Sequence, residues 1–447
     1  MVLHAASALL PAGWATDIRL TITDGVISAV ETGVAASASD ERHAVLVPAM
    51  GNLHSHAFQR AMAGLTELRG PASDSFWSWR TLMYRFALKM TPDDIEAVAA
   101  QLYVEMLEQG FARVGEFHYL HHDRDGTPYA NIAEHAERIA AASVETGIGL
   151  TLLPVFYAHS GFGGQPPIDG QRRFINSVES FGLLMEGARG IKRNLPGMQI
   201  GIAPHSLRAV TSEELNAILP LADGGPIHIH VAEQMKEVED SIAFSGARPV
   251  EWLIANAPVD DRWCLIHATH LTESEVTGMA KSGAIAGLCP ITEANLGDGT
   301  FAAADFLEKG GRFGVGSDSN VLISLPGELR QLEYSQRLAH RARNVIARPN
   351  GSTGRRLFDA AVDGAGAALA SKTGLVIGAS ADIVSLDVSR APYLGGDDVL
   401  DNWIFGSDIA VDTVWAQGDR KVANGRHDAR DPVRARFVAT MQRLLAD

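Results

Sequence analysis

Short apolar runs that end in polar residues recur along the middle of the chain, each followed by a segment with helical spacing. The runs are Ala44–His56, Ala112–Leu120, Gly149–Tyr157, Met198–Ser206, Pro226–Glu233, Arg262–His270, Ala284–Thr292 and Arg312–Asn320. Between them, Thr91–Gly110 carries helix punctuation: a Thr cap, Pro and Asp in the first turn, and a closing Gly. Near-continuously apolar strands are buried on both faces, so eight strand–helix units predict a closed parallel (β/α)8 barrel of TIM type. A doubly wound open sheet is the alternative, but no G-x-G-x-x-G follows the first run. The two ends read differently. Asp17–Val30 alternates polar and apolar residues about Asp24-Gly25, a hairpin signal, and Ala381–Ser389 and Asp412–Gly425 are again strand-like. The predicted architecture is α/β: a barrel over residues 48–370 and a small β-sandwich from 1–47 and 371–447, ending in a helix.

A chain of 447 residues exceeds what one hydrophobic core usually serves, which suits a large domain with a smaller companion. With 46% hydrophobic and 20% charged residues, it reads as globular rather than disordered. Asp and Glu outnumber Lys and Arg by 53 to 38, a net charge of −15. Nucleic acid and anionic membranes both need a basic surface, so the expected partner is a small molecule. No run approaches the roughly 20 apolar residues of a membrane span. Met1–Gly13 lacks the basic leader of a signal peptide, and Cys264 and Cys289 are too few for a disulfide framework. A soluble cytoplasmic protein with reduced thiols is the expectation.

The polar residues that close the runs carry the candidate chemistry. His54, His56, His230, Glu233, His267 and Asp318 all fall at C-terminal strand ends, the face on which barrel active sites are built. His54 and His56, two apart on a strand, face the same side and form a metal half-site; a hydrogen-bonded surface pair is the plainer alternative. In His228–Glu233, His230 lies nearer the mouth and is the ligand candidate, whereas His228 fills a deeper layer of the barrel. Glu233, just past the strand, is placed to carry protons beside an activated water. His267 ends its strand and reads as the polarising or acid/base imidazole; His270 is assigned a capping or surface role. Asp318 alone would read as a helix cap, but with three histidines it becomes a fourth ligand and general base. Such a set suits one divalent metal, most simply Zn2+, with an open position for water. His118, His121 and His122 read as a surface loop cluster.

Pro48–Met62, His230–Gln234, Leu265–Leu271 and Gly314–Asn320 together resemble the deaminase branch of the amidohydrolase superfamily. Asn52–Glu67, Phe76–Phe86 and Glu116–His122 are similar to its formimidoylglutamate deiminase family. That resemblance implies hydrolysis of N-formimino-L-glutamate to N-formyl-L-glutamate and ammonia, in histidine degradation, on a single zinc. It carries the ligand role to His54, His56, His230 and Asp318 and proton handling to Glu233 and His267, and it implies a homodimer. No Lys closes the fourth run, which favours one metal over a bridged pair. A substrate with two carboxylates needs fixed cations. Arg80, beside Trp77 and Trp79, and Arg208, after His205, are the candidates, with Gln59 and Tyr119 adding hydrogen bonds. Stacking of Arg80 on its tryptophans, and a solvated loop charge at Arg208, are the competing readings. Competing functions are deamination of a heterocycle such as guanine or a pterin, and a catalytically silent scaffold. A cytidine-deaminase site is excluded because H-x-E…P-C-x-x-C is absent.

Overall fold

The computed structural model describes residues 1–69 and 75–446. Its N-terminal strands are β1 (Val2–Leu10), β2 (Gly13–Thr23), β3 (Val26–Glu31) and β4 (Glu41–Pro48). The turn between β2 and β3 puts both Asp24 and Gly25 at positive φ, 49° and 75°, as the Asp-Gly hairpin signal requires. The barrel strands follow: β5 (Met50–Ser55), β6 (Phe111–His118), β7 (Gly149–Phe156), the broken pair β8 (Gln199–Ile200) and β9 (Ala203–Pro204), β10 (Ile227–Val231), β11 (Trp263–His267), β12 (Ile285–Leu288) and β13 (Arg312–Val315). The C-terminal strands are β14 (Ile383–Asp387), β15 (Ala410–Ala416), β16 (Asp419–Ala423) and β17 (Arg426–His427).

Every ladder between neighbouring barrel strands is parallel. Two arcs, β5 to β9 and β10 to β13, are joined by single bridges: Ile202 to Ile227 and Ser206 to His230 on one side, Ser55 to Asp318 on the other. The barrel is thus closed, and the closure puts two candidate ligand strands directly against one another. Its floor is plugged by the end of the helix Thr353–Ala368. Leu369 packs under Gly51 and Gly115, and the carbonyls of Ala368 and Leu369 accept from His228 Nε2 at 2.8 Å and Thr151 Oγ1 at 2.9 Å. His228 therefore fills a deep layer.

The first apolar run, Ala44–His56, is two strands, not one. Its front half, β4, pairs with β1 and β14, and only β5 enters the barrel. The terminal strands form a single sheet, ordered β17-β16-β15-β14-β4-β1-β2-β3, that curls until Val26 bridges Ser380. Leu3, Ile18, Leu20, Ile383 and Trp415 are buried within that curl, which gives the packing of a sandwich. The predicted helix 91–110 is α2 (Pro92–Glu108); Thr91 Oγ1 accepts from Asp94 N–H as its cap. Before it lies α1 (Phe76–Ala87), the aromatic segment over the barrel mouth.

Candidate metal centre and substrate pocket

β5 turns both His54 and His56 toward the barrel axis, and their rings meet edge to face with centroids 4.6 Å apart. His54 Nε2 lies 3.3 Å and His56 Nε2 3.1 Å from Asp318 Oδ1, and His54 Nε2 lies 3.0 Å from His230 Nε2. One donor atom from each of the four residues falls within 4.8 Å of all the others, and all four residues are buried. His56 Nδ1–H donates to Phe117 O and His230 Nδ1–H to His205 O, each at 3.0 Å. Those bonds fix the tautomer and leave the Nε2 lone pairs aimed inward. Burial holds His54 down to about 3 and His230 well below the usual imidazole range, so both rings are neutral, the form that binds metal. Three imidazoles and one carboxylate whose donor atoms converge in a buried cluster fit a divalent cation.

Asp318 is placed by the seam between β5 and β13. Its N–H donates to His54 O at 2.9 Å, and His56 N–H donates to Asp318 O at 3.0 Å. Around the seam Asn52 Nδ2 donates to Ser317 Oγ at 2.6 Å, Ser317 Oγ to Asn320 Oδ1 at 2.6 Å, and Asn320 Nδ2 to His56 O at 3.0 Å. Gly316 makes the approach possible, because a Cβ there would stand 2.7 Å from the backbone N and O of His54.

His267 stands above this cluster. Its Nε2 is 3.9 Å from Asp318 Oδ2 and 3.9 Å from Glu233 Oε1, and its Nδ1–H donates to Glu293 Oε1 at 3.2 Å. Burial opposes charge on His267, but Glu233, Glu293 and Asp318 outweigh it and lift the group to about 10. Burial pushes Glu233 up to about 7, with His267 pulling the other way, so its carboxyl exchanges protons near neutrality. Two positioning residues were not singled out in the sequence. Glu293 also accepts from Cys289 N–H at 2.9 Å, and Glu237 accepts from Ala232 and Glu233 N–H at 3.1 and 3.3 Å, holding the turn that carries Glu233. The available signal is an acidic residue five or six positions beyond a strand end.

Gln59, Arg80, Tyr119, His205 and Arg208 all line one pocket of about 530 Å³ that opens onto Glu233, His267 and Asp318. Gln59 Nε2 donates to Tyr119 OH at 2.7 Å, and the His205 ring packs 4.4 Å from Tyr157. Arg80 does stack on Trp77, at 4.6 Å, while still lining the pocket. Arg208 is buried, so it is no solvated loop charge, and its Nε has no hydrogen-bond partner. Among the described residues neither arginine has an ion-pair partner.

One sequence expectation fails. His118, His121 and His122 are buried beneath the loop after β6, not on the surface, because the apolar wall and Arg173 close over them: the Arg173 backbone carbonyl accepts from the N–H of both His121 and His122. His270 is half-buried just before the next helix, whose cap is Thr272: its Oγ1 accepts from Glu275 N–H.

Residues 45–421 match the Amidohydrolase family. The chain belongs to that family. Residues 1–44 match the N-terminal domain of formimidoylglutamate deiminase HutF. A formimidoylglutamate deiminase of Pseudomonas aeruginosa is 49% identical over 451 residues, covering 99% of both chains. The crystal structure of an amidohydrolase from Brucella melitensis superposes with TM-score 0.98 at 61% identity, covering 99% of both chains. An adenosine deaminase from Xanthomonas campestris, solved with bound zinc, shares the fold at TM-score 0.82 and 21% identity, covering 100% of this amidohydrolase and 98% of its own chain.

Proposed function

We propose that the chain is a metal-dependent deiminase that hydrolyses N-formimino-L-glutamate to N-formyl-L-glutamate and ammonia in histidine degradation. The full-length relative of that name supports the reaction. The observation that carries the substrate is the pair Arg80 and Arg208, two cations that line the pocket facing the metal cluster and have no ion-pair partner among the described residues. A dicarboxylate supplies what they lack, and bidentate guanidinium bonds orient it. A flat aminated heterocycle would leave them unmatched, and a silent scaffold would not need the complete tetrad. Gln59, Tyr119 and His205 add hydrogen bonds along the chain of the substrate.

His54, His56, His230 and Asp318 would hold one zinc, which when bound supplies Lewis-acid activation of water at neutral pH. Asp318 takes the proton of the attacking water, and His267 Nε2, across the 3.9 Å gap, holds that water in line with the formimino carbon. Glu233 passes a proton to the imino nitrogen, so the tetrahedral intermediate carries an amine. Collapse returns the hydroxyl proton to that amine, and ammonia leaves. The proton held by Asp318 then restores Glu233, so the sum is water plus amidine to amide plus ammonia. The resemblance further implies a cytoplasmic homodimer, which sedimentation velocity tests. The deciding assay is ammonia release from N-formimino-L-glutamate and from guanine, before and after chelation. Release from the former alone, lost on chelation and restored by zinc, is expected; release from guanine alone overturns the reading.

A further inference from the structure

Asp318 offers its two carboxylate oxygens to two different groups of donors. Oδ1 faces His54 and His56 at 3.3 and 3.1 Å, the group assigned to the zinc. Oδ2 is the oxygen nearest His267 Nε2, at 3.9 Å. Cys289 directly follows β12, the strand between β11, which ends at His267, and β13. One donor atom each from His267, Cys289 and Asp318 lie within 4.8 Å of one another, and all three residues are buried. A gap of 3.9 Å is too long for a hydrogen bond. Donors bound to one tetrahedral cation at zinc–ligand lengths sit about 3.3–3.7 Å apart, so small side-chain shifts would close the cluster on a metal. Glu233 Oε1, 3.9 Å from the same His267 nitrogen, borders it from the pocket side.

We propose that His267, Cys289 and Asp318 form a second, inhibitory metal site for a thiophilic divalent cation, Cd2+ or zinc in excess, with Asp318 bridging the two ions. The sulfur separates this cluster from the first, whose donors are nitrogen and oxygen only, and soft ligands favour soft cations. Binding replaces the Cys289 S–H proton and the His267 Nε2–H proton, and both are released to solvent. Occupancy ties up His267 Nε2 and Asp318 Oδ2, the atoms that flank the attacking water, so turnover stops. Only that effect on turnover rests on the functional reading above; the binding itself does not.

The test titrates the holoenzyme, carrying one metal per chain, with Cd2+. It reads the near-ultraviolet sulfur-to-cadmium charge-transfer band and, separately, ammonia release. The band is expected to saturate at one further equivalent while activity falls in step. In Cys289→Ala the band is absent, starting activity is kept, and half-inhibition needs at least tenfold more Cd2+. Cys264→Ala, at the other buried thiol, keeps both the band and the sensitivity. Cys289→Ser carries the same readouts where Cys289→Ala does not fold. No band in the wild type, a band that survives Cys289→Ala, or equal sensitivity of the two proteins overturns the proposal. A chain that shows the band but releases no ammonia refutes the deiminase reading and leaves the metal site standing.

Discussion

Asparagine in place of His135 is expected to flatten the acid limb of the stability curve. His135 sits in the buried histidine group under the loop after β6. Its Nδ1–H donates to Leu120 O at 2.7 Å, and its Nε2 faces Arg173 Nη2 at 3.5 Å. Burial, reinforced by the Arg173 charge, presses its pKa from 6.5 to about 3. The unfolded chain therefore takes a proton at this position below about 6.5, whereas the folded chain stays neutral until about 3. The stability held by the neutral ring is complete above the upper value and drains away as pH falls toward the lower one. One proton's difference is worth about 1.4 kcal/mol per pH unit, or about 2 kcal/mol between pH 6 and pH 4.5. An Asn amide N–H takes the place of Nδ1–H, keeps the bond to Leu120 and does not titrate. Whatever the offset at pH 7.5, His135→Asn should regain about 2.7 kcal/mol on the wild type by pH 4.5. Urea unfolding of both proteins at four pH values measures it. Parallel curves would refute the reasoning, because they would mean that the folded ring titrates as it does in the unfolded chain.

Three further outcomes follow from the site. Glu233→Gln keeps one metal per chain but loses roughly 10²–10⁴-fold in kcat, the usual worth of a positioned proton carrier; near-normal turnover removes Glu233 from the mechanism. Arg208→Met strips a buried cation from the substrate carboxylate at about 2–5 kcal/mol, read as a kcat/KM lowered by 30-fold or more, roughly, with metal content unchanged. Equal kcat/KM for variant and wild type counts against the dicarboxylate pocket. Gly316→Ala drives a Cβ to within 2.7 Å of the His54 backbone, which cannot give without opening the seam between β5 and β13. A lowered Tm together with metal content well below one per chain is expected, and a variant that melts and loads like the wild type contradicts the seam's role.

Much of this arrangement is legible in the sequence because barrel strands repeat a simple signal. An apolar run long enough to cross the barrel, closed by a polar residue, marks both a strand and its functional end, and His54, His56, His230, His267 and Asp318 each sit at such a boundary. The break between β4 and β5 is not legible, because the apolar stretch runs across it from Ala44 to Gly51 and its two halves differ only in partner: β1 and β14 for the first, β6 for the second. The histidines after β6 mislead for a related reason. Their spacing is that of a loop, and nothing local says that Arg173, some fifty residues on, will close over them.

What the sequence conceals most completely is how the reactive side chains are held still. Ala232, His267, Ala268 and Asp318 all have φ between 46° and 65°, a region natural to glycine and costly for other residues. Glycine would relax the backbone at His267 and Asp318 but remove the imidazole and the carboxylate, so the chemistry overrides the local preference. Something else must then fix each turn, and in every case it is buried hydrogen bonding from a distant or helical residue. Glu237 takes the N–H groups of Ala232 and Glu233, Glu293 takes Cys289 N–H and the His267 ring, and Asn52, Ser317 and Asn320 lock the turn of Asp318 to β5. These residues read in sequence as ordinary helix-start acids and turn amides. Folding turns them into the rigid support of the site, because a buried carboxylate or amide must find its donors and only the strained strand ends have N–H groups to offer.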